Sequence, residues 1–392
     1  MRRIGVLEAK HAHHGLAGSC KIFNTENNKV TVFTSEPLFA RIKDELEIDE
    51  YEWVIKRQEE SDLRFLKRVE RICNGRIDLL VVNTIRITPF LFFNPKCKKI
   101  LEIYNTNWWF ELTQSLGNCF QIVRGGGRYG LLNPMINGIT GPIIRKMILK
   151  RYDGIIVEYQ AIKEYITRNF NYKKNIYILP DLPYEGVQPF NEDEKIRFVV
   201  PGGISEQRRD YLAIIDIFKE IFHRYHKRIE LYVLGAPQGE YGQEIVNHCR
   251  HLKNEGYNIF YFEEYIPESI FREKFSKADV IISPVKLNFT FLGFDEVYSL
   301  TKGIGVTSDC IKYAKPLIVP EKFVVAKELK TSILKYKDAR ELKEIVETLI
   351  NHREELRNLQ REALNNSEKF SLANLHKYSD NMVNGFLNKE PV

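Results

Sequence analysis

Short, near-continuous apolar runs alternate along this chain with longer stretches of helical periodicity. IGVLEA (4–9), VTVFTSE (30–36), LLVVNT (79–84), KILEIYN (99–105), DGIIVE (153–158) and NIYILP (175–180) read as strands apolar on both faces, the pattern of a parallel sheet covered on both sides. The stretches 61–73, 142–152 and 160–169 read as helices, the first with a serine at its start. Such alternation predicts βαβ units and a doubly wound α/β domain.

The pattern then stops. PDLPYEGVQPFNEDEK (180–195) has prolines, acids and no apolar period, and reads as a linker. A second alternating series follows: IRFVVPGG, a helix over 210–225, IELYVLG, a helix over 242–252, NIFYF, a short helix after Pro267, ADVIISP and PLIVP. One long charged helix is expected over 338–362 and a last amphipathic segment over 372–387. The expected organisation is therefore a first Rossmann-like domain over 1–185, a linker over 186–195, a second over 196–370, and a C-terminal helix over 371–392 that packs back on the first domain. In two such domains facing a cleft, ligands sit beyond the carboxyl ends of the strands, so each wall carries a site.

Composition narrows the classes. At 392 residues, 44% hydrophobic and 28% charged, the chain suits a globular protein of two domains. No apolar run has the length of a membrane span, and MRRIGVLEAK begins a strand, not a signal peptide. Six cysteines without CxxC spacing argue for reduced thiols in a cytoplasmic protein, and against a zinc site or a disulfide framework. No metal site and no cofactor is expected. The net charge of +6 is mild and matters only where the basic residues cluster.

The densest candidate chemistry lies in 278–320. Two apolar strands there enclose Gly303, Gly305, Thr307, Ser308 and Asp309, which lead into the short helical segment CIKYA. Glycines admit a ligand close to the backbone, and a helix N-terminus favours an anion. Gly202 and Gly203 make a second turn after IRFVVP, followed by Arg208 and Arg209 at a helix start. The helix dipole opposes arginine at that end, so an anionic partner is the better account of the pair.

The order and spacing of VVPGGISEQRRDYLAIIDIF, IELYVLG, NIFYFEEYIPESIFREKFSKADVIISP and TSDCIKYAKPLIVP resemble the GT-B glycosyltransferases, most closely the family 4 type, over nearly the whole chain. The resemblance implies a metal-independent enzyme that takes a nucleotide-sugar as donor. It places Arg208 on the family's phosphate-binding lysine and Asp309 on the second acid of its paired motif, near the donor. It departs at Gly203 (for an arginine), at Thr301 (for the first acid, with Asp295 and Glu296 nearby as substitutes) and at Ala314 (for a glycine). The donor set it implies is Gly202, Gly203, Arg208, Gly303, Gly305, Thr307 and Ser308, with Asp309 in the catalytic group. Two alternatives stand beside it: a GT-B sugar-nucleotide epimerase, and a catalytically silent nucleotide-sugar-binding subunit.

The first domain is then expected to take the acceptor, a glycan or a lipid-linked sugar. His13 and His14 follow the first strand, where a histidine can act as general base toward a hydroxyl. Arg124, Gly126 and Arg128, in VRGGGRYG, suit an acceptor phosphate or carboxylate. Residues 112–152 contain no acid and carry Arg124, Arg128, Arg145, Lys146, Lys150 and Arg151, with Trp108 and Trp109 just upstream. Basic groups among exposed aromatics predict peripheral contact with an anionic membrane face. No motif for nucleic acid is present.

Overall fold

A computed structural model of the chain describes residues 1–10, 13–85, 87–111, 141–186, 190 and 193–388. The chain forms two compact units. One comprises Met1–Pro183, Thr290–Gly303 and Leu372–Val392, the other Tyr184–Phe289 and Ile304–Ser371. The segment Thr290–Gly303, expected in the second domain, thus groups with the first.

The first unit is organised on seven strands: β1 (Arg2–Glu8), β2 (Asn28–Ser35), β3 (Glu52–Lys56), β4 (Leu79–Val82), β5 (Lys98–Glu102), β6 (Gly154–Val157) and β7 (Asn175–Ile178). Their order is β3-β2-β1-β4-β5-β6-β7, parallel throughout. The order reverses between β1 and β4, where doubly wound sheets open a crevice at the carboxyl edge. All four residues of β4 and of β6 are buried, which is why these runs are apolar at every position. β3, EWVIK, is a half-exposed edge strand whose polar ends mask it in the sequence. After β1 the helix His13–Phe23 begins, which buries Leu16, Ala17, Cys20 and Phe23. The C-terminal helix Leu372–Leu387 lies on it: Ser379 Oγ donates to Ile22 O at 2.9 Å, and Arg2 pairs with Asp380 at 3.0 Å.

The second unit holds β8 (Ile196–Pro201), β9 (Ile229–Leu234), β10 (Ile259–Phe260), β11 (Val280–Ile282), β14 (Leu317–Pro320) and β15 (Ile333–Tyr336), in the order β10-β9-β8-β11-β14-β15. Its ladders are again parallel. Phe198, Phe218 and Phe222 are fully buried between sheet and helix; burial of such a ring contributes roughly 2–3 kcal/mol. The long charged helix is two, Ala339–Asn351 and Arg353–Glu368, because His352 leaves helical geometry at φ −116, ψ 76.

A two-stranded hairpin, β12 (Asn288–Phe291) and β13 (Phe294–Val297), is absent from the sequence reading. Leu292 (φ 48) and Gly293 (φ 86) turn it with both residues left-handed, as tight hairpins require. The chain from this hairpin to Gly303 straps the helix Thr106–Phe110. Asn107 Nδ2 donates to Asp295 O at 2.7 Å, Trp108 N donates to Glu296 Oε1 at 3.0 Å, and Lys302 Nζ donates to Asn105 Oδ1 at 2.6 Å.

Candidate functional site

In the second unit, two loops converge at the carboxyl edge of β8 and β11. The chain leaves β8 through Gly202 and Gly203, and residues 208–210 then run against the residues following β11. Asp210 N donates to Pro284 O and Lys286 N to Arg208 O, both at 2.9 Å, with a bridge between Arg209 and Val285. Asp210 then caps the helix Tyr211–Tyr225 by accepting from Ala213 N at 3.2 Å.

These bonds decide which arginine reaches the turn. Arg208, the expected phosphate ligand, is exposed, with its guanidinium 5.2 Å over the Phe289 ring. Arg209 folds back instead: Nη1 donates to Gly203 O at 3.4 Å, and Nε is buried with no hydrogen-bond partner. Gly202 (φ +97) leaves room for it, since a Cβ there would fall 2.4 Å from Arg209 Nη2.

The helix Gly305–Tyr313 begins earlier than CIKYA suggests, with Ile304 in the capping position. Thr307, Ser308 and Asp309 are therefore inside its first turns and are not caps. Gly305 is exposed, and a Cβ there would meet nothing within 4 Å, so this N-terminus is open. Thr307 Oγ1 and, at the end of β11, Ser283 Oγ are buried without hydrogen-bond partners. Asp309 is half-buried; loss of hydration pushes its carboxyl up to about 7, with Lys312 and Arg209 opposing and Glu268 adding to the shift. Asp309 and Arg209 therefore act on one another. The structure thus brings together Gly202, Gly203, Arg209, the Gly305 helix end and Asp309.

Gly303 stands two residues before that helix end. It belongs to the first unit, where it lies against Glu158: a Cβ at Gly303 would be 1.8 Å from Glu158 Oε1. Glu158 is one of a set that the sequence reading missed. Glu8 ends β1, Glu102 ends β5, Glu158 follows β6 and Asp181 follows β7, all at the carboxyl edge of the first sheet. Asp181, Glu102 and Glu158 act on one another, and the Tyr104 hydroxyl beside them is buried without a hydrogen-bond partner. Burial pushes Glu102 up to about 8, with Glu158 and Glu8 adding and the neighbouring Tyr104 and Asp181 opposing. Asp181 is raised well above the usual carboxylate range, first by burial, then by Glu158 and Glu102. Protons are therefore retained here at neutral pH. The signal was present in the sequence: IGVLE, KILE and GIIVE each close an apolar run on Glu, and parallel strands bring such ends to one edge.

Other expectations are corrected. Glu296 does not substitute for the missing donor-side acid. It is fully buried in the first unit and accepts from Trp108 N, with burial pushing it up to about 7. Trp108 and Trp109 are buried, and Arg145 is 0% exposed, its guanidinium 5.0 Å from Trp108 and 4.7 Å from Phe294. Arg145 is thus an interior cation stacked between two rings, lowered to about 10 by burial, and not part of a membrane face. Arg151 turns inward to donate to Leu91 O at 2.7 Å. The backbone of His13 and His14 starts the helix after β1, but their side chains lie outside the described part. Arg124, Gly126 and Arg128 lie outside the described residues. Among the described residues no group of histidine, cysteine and acid side chains is arranged to hold a metal ion, and no helix is long and apolar enough to cross a membrane.

No family model and no curated protein matches the chain. Solved structures do match it along its length. A glycosyltransferase from Rickettsia africae is 10% identical over 99% of both chains, with a TM-score of 0.64. HepE of Anabaena in complex with UDP is 10% identical over 98% of this chain and 100% of that one, with a TM-score of 0.61. A protein assigned as a UDP-N-acetylglucosamine 2-epimerase from Listeria monocytogenes is 11% identical over 100% of this chain and 98% of that one, with a TM-score of 0.57. At these identities the likeness carries the fold: two Rossmann-like units on parallel sheets, the GT-B architecture.

Proposed function

We propose that this protein is a metal-independent glycosyltransferase of the family 4 type, moving a hexosyl group from a nucleotide-sugar to a glycan or lipid-linked acceptor in cell-envelope or glycoconjugate synthesis. The observation that carries the reading is the corner of the second unit where the open Gly305 helix end, the unpartnered Thr307 hydroxyl and Arg209 lie with the Gly202–Gly203 turn. A nucleotide-sugar leaves as a diphosphate, and transfer needs that growing negative charge neutralised where water is scarce. Arg209 and the helix dipole supply positive charge for it. Asp309, titrating near 7, is suited when protonated to donate a hydrogen bond to a donor hydroxyl or phosphate oxygen without repelling the diphosphate. UDP bound in HepE makes UDP-sugars the first donors to try. His13 and His14, with Arg124, Gly126 and Arg128, remain our proposed acceptor-side groups.

We place the protein in the cytoplasm, in peripheral contact with the membrane. With Arg145 and Arg151 turned inward, that contact falls to one face of the helix Gly141–Arg151, where Ile143 (61% exposed), Lys146, Met147 (49% exposed) and Lys150 recur at helical spacing. Binding to anionic but not neutral vesicles at low salt tests the contact, and equal binding to both removes it.

A second reading has its own observation. Epimerisation takes a proton off a sugar carbon and returns one, and the Glu102, Glu158 and Asp181 group holds protons at neutral pH. A panel of UDP-sugars separates the two. Free UDP released in step with a glycosylated acceptor supports transfer, an epimeric UDP-sugar supports the second reading, and UDP binding without turnover defeats both.

A further inference from the structure

At the opposite end of the first sheet from the carboxyl group, two cysteines meet. Cys73 is in the last turn of the helix Asp62–Arg76, and Cys97 immediately precedes β5. Two residues after that helix the chain enters β4, whose first residue Leu79 pairs with Lys98 of β5. Lys96 N donates to Asn74 Oδ1 at 2.7 Å, so the residue after Cys73 is bonded to the residue before Cys97. The two thiols are close enough that each acts on the other's ionisation, and neither is in a disulfide. Cys73 is 1% exposed, whereas Cys97 is half-buried and reachable from water.

We propose that Cys73 and Cys97 are a redox-active dithiol in which Cys97 attacks a peroxide and Cys73 resolves the product to an intrachain disulfide. The environment fits the division of labour. The neighbouring Cys73 thiol holds the Cys97 thiol below the usual thiol range, and Lys99 assists, while burial and Asp153 oppose. The Cys73 thiol is raised, first by the neighbouring Cys97 and then by burial, so it keeps its proton until the second step. In the first step the Cys97 thiolate displaces hydroxide from hydrogen peroxide and becomes a sulfenic acid. In the second, Cys73 sulfur attacks the Cys97 sulfur, the S–O bond breaks, and the hydroxide that leaves takes up the Cys73 proton as water. Two thiols and one peroxide give one disulfide and two waters, the peroxide accepting both electrons. Cys20, Cys249 and Cys310 are buried, and burial raises all three thiols, Cys249 and Cys310 to about 12, so they serve as unreactive references within the chain.

The test is hydrogen peroxide treatment of the full chain, alkylation of remaining thiols, and peptide mapping by mass spectrometry. The wild-type chain should lose two hydrogens and yield one linked peptide pair containing Cys73 and Cys97, reversed by dithiothreitol. In Cys73→Ala, Cys97 should be trapped by dimedone as the sulfenic acid, and its alkylation rate should fall several-fold with the loss of the neighbouring thiol. Full alkylation of both residues in oxidised wild-type chain would overturn the proposal. So would linkage of Cys97 to a different cysteine, or an alkylation rate for Cys97 no higher than for the buried references.

Discussion

Both sheets present a polar cluster at their carboxyl edges, yet the clusters are of opposite kind. The first sheet gathers Glu8, Glu102, Glu158 and Asp181 at that edge, and desolvation with mutual repulsion keeps Glu102 and Asp181 protonated at neutral pH. The second gathers glycine turns, Arg209 and an open helix end, and leaves positive character facing outward. One architecture thus supports two chemistries, because the crevice is set by strand order while its charge is set by the residue that ends each strand. An acid edge that must hold protons costs stability as pH rises. A cationic edge is stabilised by an anionic ligand.

The largest expected effect lies in the acid cluster. Glu102 moves from its ordinary 4.5 to about 8, so its contribution is whole below the lower value and lost as pH climbs through the upper. A shift of this size corresponds to ~5 kcal/mol at most. Denaturant titration should show stability declining between these pH values, and Glu102→Gln should flatten the decline and stabilise the protein at pH 8. An unchanged slope in that variant would dissolve the contrast between the two edges.

Next is Gly303→Ala. Its methyl group would displace the Glu158 carboxylate, for an expected loss of ~2–4 kcal/mol in stability. UDP affinity, which belongs to the other unit, should hold. If UDP binding fell while stability stayed, Gly303 would act on the donor and not on the acid cluster.

The arginines sharpen the second edge. Calorimetry with UDP should show Arg209→Ala weakening binding by ~1.5–3 kcal/mol, the worth of a charge-assisted hydrogen bond. Arg208→Ala should cost less, ~0.5 kcal/mol, because an exposed cation is largely screened. The reverse ranking would restore the sequence-based assignment.

The smallest effect is Asp309. As pH rises through about 7 its carboxylate forms beside the proposed diphosphate, so UDP affinity should fall by ~1 kcal/mol, and Asp309→Asn should remove that dependence.

The same contrast explains what could be read in advance. β4 and β6 are apolar at every position, and β1, β8 and β9 through their middles, because both faces are covered, and this made the parallel class legible. β3 and β15 are edge strands with half-exposed residues, and the NFTF and FDEV strands of the hairpin are too short for a period to show. The site was harder. Whether Arg208 or Arg209 reaches the turn depends on hydrogen bonds to the chain after β11, and Arg145 looked like surface charge because its aromatic partners are distant in sequence. Spacing cannot carry such information.

The three-part make-up of the first unit has a consequence for biosynthesis. Everything the second unit needs, Tyr184–Phe289 and Ile304–Ser371, has been translated before the helix Leu372–Leu387 begins. The first unit is therefore completed after the second. Until that helix is made, the apolar face that Leu375, Met382, Val383 and Phe386 will help to close stays without its cover on the nascent chain. Exposed apolar surface on an unfinished domain is what holding chaperones bind and what aggregates when they are scarce. A ribosome stalled near residue 371 would release a protein with a finished second half and an unfinished first.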